Sequence, residues 1–233
     1  SVTAFSVDIM LPAFSIISND LAASYSSVQL VIPIFILATG VGQIFTGPLS
    51  DRYGRKPVIL LGLATYTIGA AVCLFASTIE ILLLGRALQG LGASAGPVVG
   101  RAVLKDMFEG KQLARNIALA TMIFAFGPIV APLLGVGIMS IGSWRYIFFL
   151  IMLFGLSLLA MGALKLPETI SAKNPDATKG SILLSNALAI LRHPQSRLYA
   201  LMAGPIMAIM ITVLISLPRV FNEEFGINGT FFA

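Results

Sequence analysis

The sequence predicts an all-α polytopic membrane protein. Hydrophobic residues make up 57% of its 233 residues and charged residues 11%, against about 25% charged residues in a soluble domain. That leaves too little polar material to coat a surface facing water, so lipid is the solvent for most of it. Apolar runs recur at the length of about 20 residues that a helix needs to cross about 30 Å of hydrocarbon. Short connections holding most of the lysines and arginines separate them.

The predicted spans are 1–18, 28–49, 57–77, 79–103, 115–139, 145–165 and 198–220. The first is expected to be incomplete at its start, and a further apolar run begins at Thr230, so the chain reads as clipped at both ends. Neither the basic start nor the small-residue cleavage site of a signal peptide is present.

Twelve of the 15 basic residues fall in three connections: Arg52, Arg55 and Lys56; Arg101, Lys105, Lys111 and Arg115; and Lys165, Lys173, Lys179, Arg192 and Arg197. The positive-inside rule places these connections, and the N-terminal side of the first span, in the cytoplasm. Arg145 and Arg219 flank the other side, and Arg86 lies within a span. The net charge of +5 belongs to these loops and not to a basic stripe with interleaved aromatics, so no nucleic-acid partner is expected.

Residues 1–165 are expected to form one bundle of six spans. Residues 166–197 form a polar linker with a short amphipathic helix from Ile182, resting on the membrane surface. Residues 198–233 supply a seventh span and the start of an eighth, in a second bundle. The one cysteine, Cys73, allows no disulfide framework or metal cluster. No cofactor is expected, and the absence of a G-x-x-x-x-G-K-[ST] run argues against ATP-driven transport. No nucleophile–base pair or HExxH points to a membrane enzyme, and the lone His193, beside Pro194 in the linker, reads as a surface residue.

Four stretches carry candidate chemistry. Gly47-Pro-Leu-Ser-Asp51-Arg52-Tyr-Gly54-Arg55-Lys56-Pro57 occupies a very short turn between two spans. Gly47 permits close backbone approach, Gly54 permits backbone angles closed to other residues, and Pro57 suits the first turn of a helix. Asp51 is an acid in a basic loop, placed to pair with the arginines; the alternative is an ordinary topogenic loop.

Arg86 lies inside the fourth span, where it must face a cavity or partner, or else snorkel outward. Gly85, Gly92 and Gly96 near it are spaced for close helix contact. The fifth span holds Gly127-Pro128-Ile-Val-Ala131-Pro132-Leu-Leu-Gly135, two prolines that bend a helix beside glycines that pack it. Asp8 lies about 15 Å from the loop at Asn19 by helical rise, near the midplane. It reads either as a proton carrier exchanging for substrate, or as a carboxyl paired with Arg86 or a backbone amide. Gln43, Tyr66, Met122, Phe124 and Phe126 are candidate cavity-lining residues, or packing residues.

The Gly47–Pro57 segment resembles the signature loop of the major facilitator superfamily, G-x-L-[AS]-D-R-x-G-R-[KR]-x, in the family's position between second and third spans. That resemblance implies a six-helix N-terminal bundle of two inverted three-helix repeats, with the first helix of a second bundle after it. It implicates Gly47, Asp51, Arg52, Gly54 and Arg55 in conformational switching. Arg86-Ala-Leu-Gln89-Gly90-Leu-Gly92-Ala93 resembles the fourth-helix pattern R-x-x-Q-G-x-G-[AG], whose arginine is implicated in proton coupling. The fifth span resembles the antiporter motif G-x-x-x-G-P-x-x-G-G, departing from it at Ala131 and Val136. Asp8-Ile-Met-Leu-Pro12 is similar to the D-x-Y-L-P start of the bicyclomycin/chloramphenicol-resistance exporters, with Met10 for the tyrosine.

The resemblance implies proton-coupled multidrug efflux by alternating access, in a bacterial inner (plasma) membrane. The implied partners are a small-molecule substrate, protons, the lipid bilayer and the C-terminal bundle of the same protein. A metabolite transporter or importer of the same fold, and a non-transporting receptor or scaffold, are the alternatives.

Overall fold

The computed structural model describes residues 2–199, 201–202, 204–205, 208–209 and 212–213. The expected seventh span lies mostly outside them, as do Arg219 and the expected start of an eighth. The chain divides into two compact units, 1–175 and 176–233.

Every regular element among the described residues is helical. The first unit holds α1 (Val2–Asp8), a 3-10 turn (Leu11–Ala13), α2 (Phe14–Asp20), α3 (Tyr25–Gln29), α4 (Val31–Tyr53), α5 (Arg55–Leu74), α6 (Ile79–Ala93), α7 (Ala95–Met107), α8 (Gly110–Ile141) and α9 (Arg145–Lys165). In the second unit, α10 (Gly180–Arg192) falls where the sequence places a short amphipathic helix. Four stretches, Tyr25–Tyr53, Arg55–Leu74, Gly110–Ile141 and Arg145–Lys165, are long and apolar enough to cross a membrane.

The first and fourth expected spans are each interrupted, and proline chemistry explains both. Pro12 lacks the N–H that would reach the Asp8 carbonyl. The backbone tightens there to bonds three residues back, Met10 to Val7 and Ala13 to Met10. Pro97 likewise leaves the Ala93 carbonyl unserved, and α6 gives way to α7 at Ser94, whose hydroxyl returns to the Leu91 carbonyl at 2.6 Å. The fifth span, α8, runs on without a break in helix through both Pro128 and Pro132.

The core centres on α5, which packs against α6 and α9, while α4 covers another side of α6. Small residues set the α5–α6 seam: a Cβ on Gly92 would strike the backbone of Gly62 and Tyr66, and one on Gly85 would strike Cys73 and Gly69. Two expected close contacts are absent among the described residues. Among the described residues nothing lies within 4 Å of a Cβ placed on Gly96, which follows the step at Ser94. Gly47 meets only the Val98 side chain, at an ordinary 3.5 Å. Gly90 instead makes a close approach across the α4–α6 contact, against the Phe35 carbonyl.

Helix α8 packs chiefly on α1 and the 3-10 turn. Most of its length is uncovered, with Ile123, Phe126, Ile129 and Leu133 all more than half exposed. Apolar surface on that scale is intelligible against lipid or another bundle, not against water.

Candidate functional site

Arg86 is fully buried, and its guanidinium ties two other helices, α1 and α4, to α6. Nε donates to the Val31 carbonyl at the start of α4 (3.2 Å), and one terminal nitrogen donates to the Ser6 carbonyl on α1 (3.1 Å). The other donates to Oε1 of Gln89, one turn along α6, at 2.6 Å. The guanidinium carbon lies 4.3 Å from the centre of the Phe35 ring, a cation–π contact. Neutral oxygens and a ring face therefore offset the cost of burying this charge. The Ser6 hydroxyl and the Tyr66 hydroxyl share a hydrogen bond of 2.5 Å, which fastens α1 to α5 as well.

Asp8 is the last residue of α1 and is 5% exposed. No hydrogen bond or ion pair reaches its carboxylate among the described residues, so neither the Arg86 pairing nor the amide pairing weighed from sequence is formed. One residue on, α8 closes in: a Cβ on Gly135 would strike the Ile9 carbonyl and come within 3.0 Å of Pro12. Ala131, one turn earlier on α8, is also fully buried, and Pro132 is half-buried. The Gly127–Gly135 run thus packs on the helix break that follows Asp8. Gln89 Nε2 is buried without an acceptor among the described residues.

The five candidate cavity residues are not brought together. Tyr66 is enclosed at the α5–α6 seam and bonded to Ser6, while Gln43 is exposed on α4. Met122, Phe124 and Phe126 are about half exposed. Helical geometry sets Phe124 on the far side of α8 from the other two. A hollow of about 480 Å³ lies elsewhere, lined by Leu74, Phe75, Ser143, Arg145, Tyr146 and Phe149.

The Gly47–Pro57 loop shrinks in the structure to one non-helical residue, Gly54, with φ of +111°. Only glycine adopts that angle without strain. Arg55 then turns back to Asp51 (2.5 Å) and the Ser50 hydroxyl (2.7 Å), while its Nε reaches Asp106 at the end of α7 (3.0 Å). Arg52 is exposed and stacks on Tyr53. Glu168, just past α9, accepts the backbone N–H groups of Arg55 (2.9 Å) and Lys56 (3.2 Å). Burial pushes the Glu168 carboxyl up, but the amides of Arg55, Ile170, Lys56 and Thr169 outweigh it and hold it below the usual carboxylate value.

At the opposite end of the first unit, Asp20 accepts from Trp144 Nε1 (3.0 Å) and from Arg145 (2.6 Å), and Arg145 also reaches the Ala76 carbonyl (3.0 Å). Sequence reasoning missed this clasp, along with Asp106, the capping role of Glu168 and the anchoring role of Ser6. The available signals were weak: one acid in a basic loop, one acid after a span, and a Trp-Arg pair at a span's start.

The sequence model of the Major Facilitator Superfamily matches residues 1–233. The chain belongs to the Major Facilitator Superfamily. Among curated members of the superfamily, it is 31% identical to the MFS-type transporter YdgK of Bacillus subtilis over 97% of this chain and 57% of that protein. It is 33% identical to the bicyclomycin resistance protein homolog of Haemophilus influenzae (82% and 48% covered). It is 34% identical to multidrug resistance protein D of Escherichia coli (64% and 38% covered). The chain thus spans about half the length of the curated relatives it matches. Its fold resembles that of the human organic anion transporter MFSD10, with a TM-score of 0.65 at 20% identity over 82% of this chain and 52% of that one. This is an integral membrane protein of a transporter superfamily.

Proposed function

We propose that this chain is the first bundle, linker and following segment of a secondary transporter that expels lipophilic small molecules in exchange for protons by alternating access. On this reading, residues 1–165 are the N-terminal bundle, 166–197 a cytoplasmic linker, and 198–233 the start of the second bundle, in a bacterial plasma membrane. The names of the multidrug- and bicyclomycin-resistance relatives support the substrate class.

One observation carries the proton step: Asp8 is enclosed without a counter-charge, because Arg86 is already held by neutral acceptors. An unpaired carboxylate is costly in a membrane interior. A proton relieves that cost, and so does a substrate of complementary charge or polarity, which makes the two compete. Arg86 bonds the carbonyl of Ser6, two residues from Asp8 on the same helix. Movement at α1 on protonation is transmitted through Arg86 to α4 and α6, and through the Ser6–Tyr66 bond to α5. Asp51, Arg55 and Asp106 make and break the contacts of the switch.

The test is pH-gradient-driven efflux by the full-length transporter in proteoliposomes. Asp8→Asn is expected to abolish gradient-driven efflux while substrate-for-substrate exchange continues. Full gradient-driven efflux in Asp8→Asn sinks the proton role. Inward accumulation of substrate by the wild type indicates an importer of the same fold, and no flux of any compound indicates a receptor or scaffold.

A further inference from the structure

We propose that Glu168 is a positioning residue for the switch loop, a remote N-cap for α5 that makes the segment leaving the bundle part of the switch itself. The first N–H groups of any helix lack intrahelical partners and need a cap. The residue before a helix supplies that cap when it is Ser, Thr, Asp or Asn. Here that residue is Gly54, which has no side chain to give, because the one-residue turn demands its φ of +111°. The cap therefore comes from 113 residues away, where the two Glu168 oxygens take the Arg55 and Lys56 amides.

Turn and cap fit each other. A Cβ on Gly54 would collide with the Glu168 carboxylate, so the glycine both makes the turn and leaves room for its cap. The neighbouring Thr169 hydroxyl donates to Asp106 Oδ2 at 3.1 Å, the same oxygen that receives Arg55 Nε. Further along, the Asn174 amide donates to the Asp51 carbonyl at 2.9 Å, and Lys56 Nζ reaches back to the Ala163 carbonyl at 2.9 Å. One strap, residues 166–174, thus bonds α4, α5 and α7 where Arg55 sits between its two aspartates. A pull on the strap cannot leave Arg55 in place, because the same residues hold its backbone and one of its acids.

The transport half of this inference rests on the alternating-access reading, and the test separates the two. In the full-length transporter, hydrogen exchange of the 52–60 backbone reads the cap directly, and the efflux rate reads the switch. Glu168→Ala is expected to speed amide exchange at Arg55 and Lys56 by roughly fivefold to tenfold, as loss of an N-cap does. Glu168→Asp is expected to restore part of that protection. Thr169→Val is expected to leave amide exchange unchanged. Both Glu168→Ala and Thr169→Val are expected to lower maximal efflux severalfold with KM unchanged. Unchanged exchange in a folded Glu168→Ala protein overturns the cap. Faster exchange with an unaltered efflux maximum overturns the positioning role, as does wild-type efflux in Thr169→Val. If wild-type protein carries no proton-coupled flux, the transport reading fails while amide exchange still decides the cap.

Discussion

Arg86 lies in the interior and touches no carboxylate among the described residues, whereas Arg55 lies at the rim between Asp51 and Asp106. The difference follows from what surrounds each charge. In a low-dielectric interior, an ion pair locks both partners, and removing either leaves a costly unpaired charge. Three neutral oxygens and the Phe35 ring hold Arg86 without using up a carboxylate, so Asp8 is left without a fixed partner. At the rim the Arg55 side chain is 11% exposed but its acids are open to solvent, Asp106 at 24% and Asp51 at 49%, so water and salt partly screen pairs that contribute about 1 kcal/mol each. Bonds of that size break and re-form readily. The strongest cage therefore stands among the packed helices, and the weaker pairs stand at the loop proposed to act as the switch.

The largest effect that tests this contrast is expected at Arg86. Arg86→Ala empties a fully enclosed side-chain volume and strips three acceptors of their donor at once. The expected loss is about 3–5 kcal/mol, read as the largest fall in thermal midpoint of any single variant of the full-length protein. A double-mutant cycle sharpens the point. Because Asp8 and Arg86 do not pair directly and are linked only through Ser6, Asp8→Asn and Arg86→Lys should couple weakly, by about 0.5–1 kcal/mol, well short of the roughly 3–5 kcal/mol of a broken buried ion pair. Strong coupling between them means the two groups do form an ion pair, and the contrast with Arg55 then collapses.

A smaller effect is expected at Asp106→Asn, which removes one of the two charges facing Arg55 and weakens the acceptor of Thr169. The expected destabilisation is about 0.5–1 kcal/mol at low salt, shrinking when ionic strength rises to about 1 M, where the Debye length falls to about 3 Å. The Arg86→Ala loss should not shrink with salt. Equal salt dependence in the two variants contradicts the assignment of one cage to the interior and the other to the rim.

The sequence shows the parts of this architecture that composition and local chemistry control. Span positions follow apolar run length, the φ of Gly54 follows from a one-residue turn, and the buried standing of Arg86 and Asp8 follows from their place in apolar runs. Partners are a different matter. Nothing local tells that Arg55 will meet Asp106, 51 residues on, or that Glu168 will cap a helix 113 residues back. Periodicity also fails for the proposed cavity, since Tyr66 and the α8 residues share suitable chemistry but face different neighbours. Proline positions are legible without their outcome: Pro12 interrupts a helix that Pro128 and Pro132 do not.

The smallest predicted effect lies at the opposite end, in the Asp20 clasp. Hydrogen bonds from Trp144 and then Arg145 hold the Asp20 carboxyl below its ordinary 3.8. A depressed folded value means the clasp contributes fully above pH 3.8 and is lost as pH falls through the lower folded value. The side chains are about a third to two-fifths exposed, at 34% for Arg145 and 43% for Asp20, so solvent screening keeps the contribution small. Trp144 Nε1 donates to the titrating oxygen, which makes its indole a reporter of that proton. Acidifying the full-length transporter should shift Trp144 emission with a midpoint below 3.8. Subtracting the same titration of Asp20→Asn isolates this signal from other indoles. A difference signal with its midpoint at or above 3.8 would show that Trp144 and Arg145 do not stabilise the carboxylate. The clasp would then be a packing contact and not, as the rim around Arg55 is, a charge-assisted one.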